Sequence, residues 1–182
     1  MTVEARGQGF ISRLRAWRGD RRGATAIEFA ILALPFFLLT FAVLETTISF
    51  TVEQVMSNTT DQLARQVRTG QLDPATVDED AFRELICERM EVFVPQGCPG
   101  LSFDLQNYAS FANVPRAIPF SAPGVIDTSD FGYDPGGTGT INNLRIIYEW
   151  PVITNIMKSR IAGLEGGRVL LYATTTWQNE PF

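Results

Sequence analysis

The sequence predicts an α+β protein in which a long N-terminal helix, first transmembrane and then amphipathic, packs on a small antiparallel sheet. Three observations predict this fold with its single membrane span. A mostly apolar run occupies residues 24–44, helical periodicity continues from it to Gly70, and three alternating segments follow. A chain of 182 residues has room for one modest domain beside such an anchor. We expect a basic segment at 1–23, the helix at 24–70 and an α+β domain at 71–182.

The N-terminal segment is basic, and the rest of the chain is acidic. The residues before Gly23 carry about +4, from six Arg against Glu4 and Asp20, whereas the remainder of the chain carries about −9. The apolar residues of the basic segment share one helical face, which is typical of a helix lying on an anionic membrane surface. Because the basic run is short, adjoins an apolar segment and precedes an acidic domain, we expect no nucleic acid partner.

The apolar run has the properties of a membrane span. Residues 24–44 contain one ionisable group, Glu28, and as a helix would extend about 31 Å, enough to cross a hydrocarbon core of about 30 Å. The run is too long for the apolar part of a signal peptide, and no signal cleavage site closes it. Since the Arg residues lie before the span, the N-terminus is predicted to be cytoplasmic. Pro35 lacks a backbone donor and predicts a local kink.

The helix is predicted to continue beyond the span as an amphipathic segment. Apolar residues recur at helical spacing from Val52 to Val67, with polar residues between them. Gly70 ends the pattern, as a glycine beyond the last turn often does. The apolar stripe of this second half needs a surface to cover it, and so does the apolar face of the predicted sheet. Packing of the helix on the sheet would cover both.

The residues at the start of the span carry a family resemblance. The stretch RRGATAIEFAILALPFFLLTFAVLE at 21–45 opens with the type IV prepilin pattern of a basic leader, Gly, four residues and Glu-Phe. Together with RQVRTGQ at 65–71, it resembles the TadE-like proteins of the Tad (Flp) pilus apparatus, which are regarded as minor pilins or pseudopilins. The segments YEWP at 148–151 and WQNEPF at 177–182 also resemble these proteins, whereas the loop at 110–140 matches least.

The resemblance implies a pilin-like fold, a processing site and a set of partners. A prepilin peptidase is expected to cut after Gly23, which leaves Ala24 as the new N-terminus. The other expected partners are pilin or pseudopilin subunits, the pilus assembly platform and the bacterial inner membrane, with the C-terminal domain in the periplasm. The alternative is a chain that is never cut and stays in the membrane as a scaffold or anchored periplasmic binding module.

Glu28 and Phe29 are the residues predicted to act in helix bundling. One interpretation of Glu28 is a carboxylate that lies near the interface and reaches toward the headgroups at tolerable cost. The other is that it neutralises the new α-amino group of a neighbouring subunit, because a buried charge is tolerated mainly when it is paired. An ionisable group inside a span favours the second, functional interpretation.

After the long helix, the sequence predicts a second helix and a pair of linked cysteines. Asp73-Pro74 offers a cap and a first helical residue, Thr76 to Glu79 is a capping box, and the apolar face ends near Met90. Cys87 and Cys98 are either buried thiols, a redox pair or a disulfide. Because there is no C-x-x-C and the predicted compartment is the periplasm, we expect a structural disulfide.

Alternating residues predict three strands at 101–105, 144–150 and 168–177. They should form a small antiparallel sheet. The segment 152–161 is interpreted as a short helix, and 163–167 as a turn into the last strand.

The stretch between the first two strands is rich in Pro and Gly, so we expect a long surface loop at 110–140. Asp127, Asp130 and Asp134 in this loop are interpreted as solvated acids, with calcium binding as the alternative; their spacing is unlike the EF-hand pattern. The chain has no His. Since no nucleophile–base pair, phosphate loop or metal-ligand cluster can be assembled, we expect no enzyme activity, no metal site and no cofactor.

Overall fold

A computed structural model describes residues 23–72 and 76–181. The predictions for the basic segment before Gly23 and for a cap at Asp73-Pro74 fall outside the described residues. The chain divides into two units, one ending at Val43 and the other beginning at Leu44.

Helix α1 (Ala24–Arg68) is the predicted long helix, and it continues through Pro35 as one element. It ends two residues before Gly70, whose backbone has a φ of 70° and whose N–H donates to the carbonyl of Val67. The buried residues of the helix all lie beyond the apolar run at 24–44: Glu45, Val52, Met56, Thr59, Thr60, Leu63, Ala64 and Val67.

The strands are β1 (Leu101–Tyr108), β2 (Phe120–Ala122), β3 (Val125–Ile126), β4 (Ile141–Pro151) and β5 (Arg168–Gln178). The main sheet has the order β1-β4-β5, and both pairings are antiparallel. The stripe of α1 and one face of this sheet share a single apolar core, which confirms the predicted α+β arrangement of a helix on a small antiparallel sheet. Residues from both sides meet in this core, among them Val52, Met56, Leu63, Leu105, Leu144, Ile146 and Leu171.

Helix α2 (Glu79–Met90) ends where the sequence predicts and buries Phe82, Ile86 and Met90. The prediction that a box starting at Thr76 caps it is wrong. Asp78 is the N-cap: its backbone is extended and its carboxylate accepts a hydrogen bond from the N–H of Ala81 at 2.8 Å. A carboxylate satisfies a free N–H and also complements the positive end of the helix dipole.

The loop at 110–140 has more structure than the sequence predicts. It contains a 3₁₀ turn at Phe111–Asn113 and the β2–β3 hairpin, and Tyr133 bridges to Leu105 of β1. The N–H of Gly132 donates to the carboxylate of Asp104, a fully buried residue of β1. The loop is ordered because this strand carries buried polar groups that need partners.

Candidate functional site

The predicted processing junction lies at the start of α1. Gly23 immediately precedes Ala24, the first residue of the helix. A Cβ added at Gly23 would meet no atom within 4 Å, and Gly23 is not among the glycines with positive φ. Neither packing nor backbone conformation in the described chain therefore requires a glycine here. The role of Gly23 and Ala24 in processing stays a prediction.

Glu28 and Phe29 follow within the next helical turn, and both are exposed. Phe29 is 71% exposed. Exposure of an aromatic ring to water is unfavourable in free energy, so this side chain is expected to be covered by lipid or by another helix. Within residues 23–72 and 76–181, no cation forms an ion pair with the Glu28 carboxylate. The structure thus brings the four predicted processing and bundling residues together on one short helical segment.

Large apolar side chains are exposed along the whole first half of α1. They include Ile27, Ile31, Leu32, Leu34, Phe36, Phe37, Leu39 and Phe41. Among the described residues, α1 is the one helix that is long and apolar enough to cross a membrane, and its most apolar stretch has no buried residue. An exposed surface of this size requires lipid or other helices to cover it.

Glu45 is a buried acid that no sequence pattern singled out. It is the first residue after the apolar run, and only 7% of it is exposed. Its carboxylate accepts hydrogen bonds from the N–H of Ile153 and from the N–H and hydroxyl of Thr154, the hydroxyl at 2.5 Å. Thr154 is the N-cap of the third helix, α3 (Asn155–Ile161), which starts three residues later than predicted. The signal in the sequence is an acid placed directly after the apolar run.

Cys87 and Cys98 form a disulfide, with their Cα atoms 5.8 Å apart. The bond links the last turn of α2 to the residues before β1. Arg83 supports the same junction, because its guanidinium donates to the carbonyls of Leu101 at 2.8 Å and Cys98 at 3.3 Å. The disulfide is therefore part of the connection between α2 and the sheet.

The three acids of the loop lie in separate local turns. Asp127 accepts hydrogen bonds from the N–H and hydroxyl of Ser129, which lower the pKa of its carboxyl, and Asp134 accepts one from the N–H of Gly136. The carbonyl of Asp130 accepts a hydrogen bond from Gln106. In the described parts of the chain, no group of three or more acidic or Cys side chains is arranged to hold a metal ion.

The C-terminal segment is attached to the far end of α1. The indole N–H of Trp177 donates to Asn179, and the amide of Asn179 donates to the carbonyl of Pro135. The N–H of Glu180 donates to the carbonyl of Arg68 at 2.9 Å, and their side chains form an ion pair at 3.0 Å. This segment therefore joins the last turn of α1, the loop and the sheet.

A protein-family model described as TadE-like protein matches residues 23–65. No curated protein and no solved structure matches the chain. The matched residues begin at the predicted junction and include the exposed apolar half of α1 and most of its buried half. The resemblance to TadE-like proteins is therefore confirmed over residues 23–65.

Proposed function

We propose that the chain is a minor pilin or pseudopilin that acts in assembly of a Tad (Flp) type IV pilus. Its role is structural, and it catalyses no reaction. The TadE-like match supports association with such a pilus. The observation that carries the finer proposal is the division of α1 into two parts, one that packs an apolar stripe on the sheet and one whose most apolar stretch has no buried residue.

The exposed half suits both stages of an assembly process. In the membrane its apolar side chains face lipid, and in a filament the same side chains face the helices of neighbouring subunits. When neighbouring helices replace lipid, the apolar surface buried by these side chains changes little. Helix packing and polar pairs therefore decide whether the subunit stays in the membrane or enters the filament. Glu28 is the ionisable side chain of the apolar run, and a new amino terminus at Ala24 of a neighbour is the cation that we propose for it.

The proposed topology follows from the charges. The basic segment at 1–23 is cytoplasmic, the helix at 24–70 crosses the bacterial inner membrane once, and the domain at 71–182 is periplasmic. The proposed partners are a prepilin peptidase, other pilin or pseudopilin subunits and the assembly platform. The peptidase would cut after Gly23, where the fold itself does not require a glycine.

The mass of the protein isolated from cells tests this proposal. Mass spectrometry is performed on the chain from membranes and from sheared surface filaments, with a strain lacking prepilin peptidase as the control. We expect a mature chain that starts at Ala24, and the longer chain only in the control strain. An intact leader in the wild-type strain would contradict the proposal and would favour an uncut, membrane-anchored scaffold.

A further inference from the structure

Glu45, which directly follows the proposed span, binds one segment of the domain. The carboxylate follows the apolar run directly and accepts hydrogen bonds from the backbone N–H groups of Ile153 and Thr154. The Thr154 hydroxyl adds a third donor at 2.5 Å. Since Glu45 is nearly fully buried, this contact is part of the packed domain. The segment at 153–161 is thereby held beside the residue that directly follows the apolar run.

This segment combines exposed apolar side chains with basic ones. Ile153 is 77% exposed and Ile161 is 40% exposed. Between them lie Lys158, the one lysine of the chain, and Arg160. Residues 152–163 contain no acid, although the chain after the basic segment is strongly acidic. Apolar side chains interleaved with cations are typical of segments that lie on anionic membranes.

Strand β4, which leads into this segment, also presents an apolar side chain next to it. Trp150 of β4 lines a cleft together with Ile153 and Arg168. Trp side chains are enriched where one side is apolar and the other is wet, as at membrane interfaces. Glu149 also lines this cleft, and its charge is paired with that of Arg168. The apolar character of this surface therefore extends from β4 toward α3.

We propose that residues 153–161 lie on the periplasmic surface of the membrane that α1 crosses. Ile153 and Ile161 enter the headgroup region, and Lys158 and Arg160 contact the phosphates of anionic lipids. This inference rests on the proposed membrane span. The contact holds the domain in one orientation on the bilayer, and assembly into a filament must break it.

A dye at position 153 tests the contact. The full chain carrying Ile153→Cys is labelled with an environment-sensitive nitrobenzoxadiazole dye, without reductant, so that the disulfide stays closed. It is reconstituted in vesicles of phosphatidylcholine and phosphatidylglycerol, with and without a lipid that carries a nitroxide near the headgroup. We expect a blue-shifted emission that the nitroxide lipid quenches. Because the side chain is exposed, the substitution leaves the core unchanged.

Phe111→Cys is the matched control. Phe111 is 54% exposed and lines a cleft with Arg68, which lies about 34 Å beyond Glu45 along α1. A dye there should emit as in water and resist quenching. In the Ile153→Cys chain, Lys158→Gln and Arg160→Gln should each weaken the surface contact about fivefold in vesicles containing phosphatidylglycerol. In vesicles of phosphatidylcholine alone they should have little effect.

Three other results would contradict either the surface contact or the membrane span. A dye at 153 that stays in water while the chain stays in the vesicles would overturn the inference and leave the span intact. A blue shift without lipid quenching would also overturn it, in favour of a second copy or another protein on this surface. Release of the chain from the vesicles by alkaline extraction would overturn the span itself, and the surface contact with it.

Discussion

Asp104 of β1 and Arg145 of β4 lie directly opposite each other and form a buried ion pair. The Arg145 side chain donates through Nε at 2.9 Å and through Nη2 at 2.6 Å to the same carboxylate oxygen. The other oxygen accepts hydrogen bonds from Gln106 and from the N–H of Gly132. The ring of Phe131 covers the guanidinium, with its centroid 5.2 Å away. The pair thus holds the loop against the sheet.

Asp104→Asn should strongly destabilise the domain, by about 3–5 kcal/mol, because it leaves the Arg145 guanidinium buried without its counter-charge. The measurement is urea unfolding of the full chain in detergent, followed by tryptophan fluorescence. Glu149→Gln is the control, since it breaks the partly exposed pair with Arg168 and should cost at most about 1 kcal/mol. Equal losses in the two variants would contradict a special role for the buried pair.

Gly23→Val should block removal of the basic segment and abolish incorporation into filaments, while membrane levels remain normal. A branched side chain hinders entry of the backbone into a protease site, whereas nothing in the described chain opposes it. Immunoblots of membranes and sheared filaments measure both effects. Gly137→Val is the control, because a Cβ at Gly137 also meets no atom within 4 Å. Cleavage of the Gly23→Val chain at the normal rate would show that the junction lies elsewhere.

Glu28→Gln should leave insertion and cleavage intact and reduce incorporation into the pilus. Removal of a charge makes an apolar span easier to insert, but it leaves the amino terminus of a neighbouring subunit unpaired. Asp61→Asn, an exposed acid farther along α1, is the control and should assemble normally. Membrane and filament fractions are compared for both variants. Unchanged piliation in Glu28→Gln would indicate that Glu28 is only an interfacial carboxylate.

Reduction of the disulfide between Cys87 and Cys98 should destabilise the domain by about 3 kcal/mol in the loop-entropy model. Thiol labelling of the denatured protein should therefore require a reductant first. Cys87→Ser should give the same loss of stability without affecting membrane insertion. Reductant added to the Cys87→Ser chain is the control and should have no further effect. Thiols that react in the unreduced wild-type protein would disprove the bond.

Alkaline pH should destabilise the domain through Tyr133. Burial, and to a lesser degree the Asp78 carboxylate, raises the pKa of Tyr133 above its usual 10.0. Its hydroxyl donates to the carbonyl of Val77 at 2.9 Å, so the native state favours the neutral phenol. The resulting stability is present below pH 10 and is lost as the pH rises through the raised pKa.

Urea unfolding between pH 8 and pH 11 measures this loss. Tyr133→Phe should have a lower free energy of unfolding than wild type below pH 10. Its free energy of unfolding should also fall less as the pH is raised. Burial also raises the pKa of Tyr148, so a part of the alkaline loss should remain in the variant. An identical pH dependence of the two proteins would exclude Tyr133 as a contributor.

Local patterns in the sequence determined the elements of this fold. Helical periodicity and hydropathy predicted α1 to within two residues of its end, and alternation predicted the three strands of the main sheet. These patterns are readable because helices and strands bury one face with a regular period. The segment at 23–29, which the resemblance singled out, is equally local. Its glycine, acid and aromatic residue lie within two helical turns.

Only the tertiary structure decided which distant residues meet. Glu45 contacts a residue 108 positions away in the sequence, and Asp104 meets Arg145 because of the register between β1 and β4. Such pairs depend on how the packed elements align, and no period in the sequence records that alignment. The same holds for the loop at 110–140, whose order comes from the polar groups that it covers. The sequence therefore predicted the elements, and packing determined the partners of the buried charges.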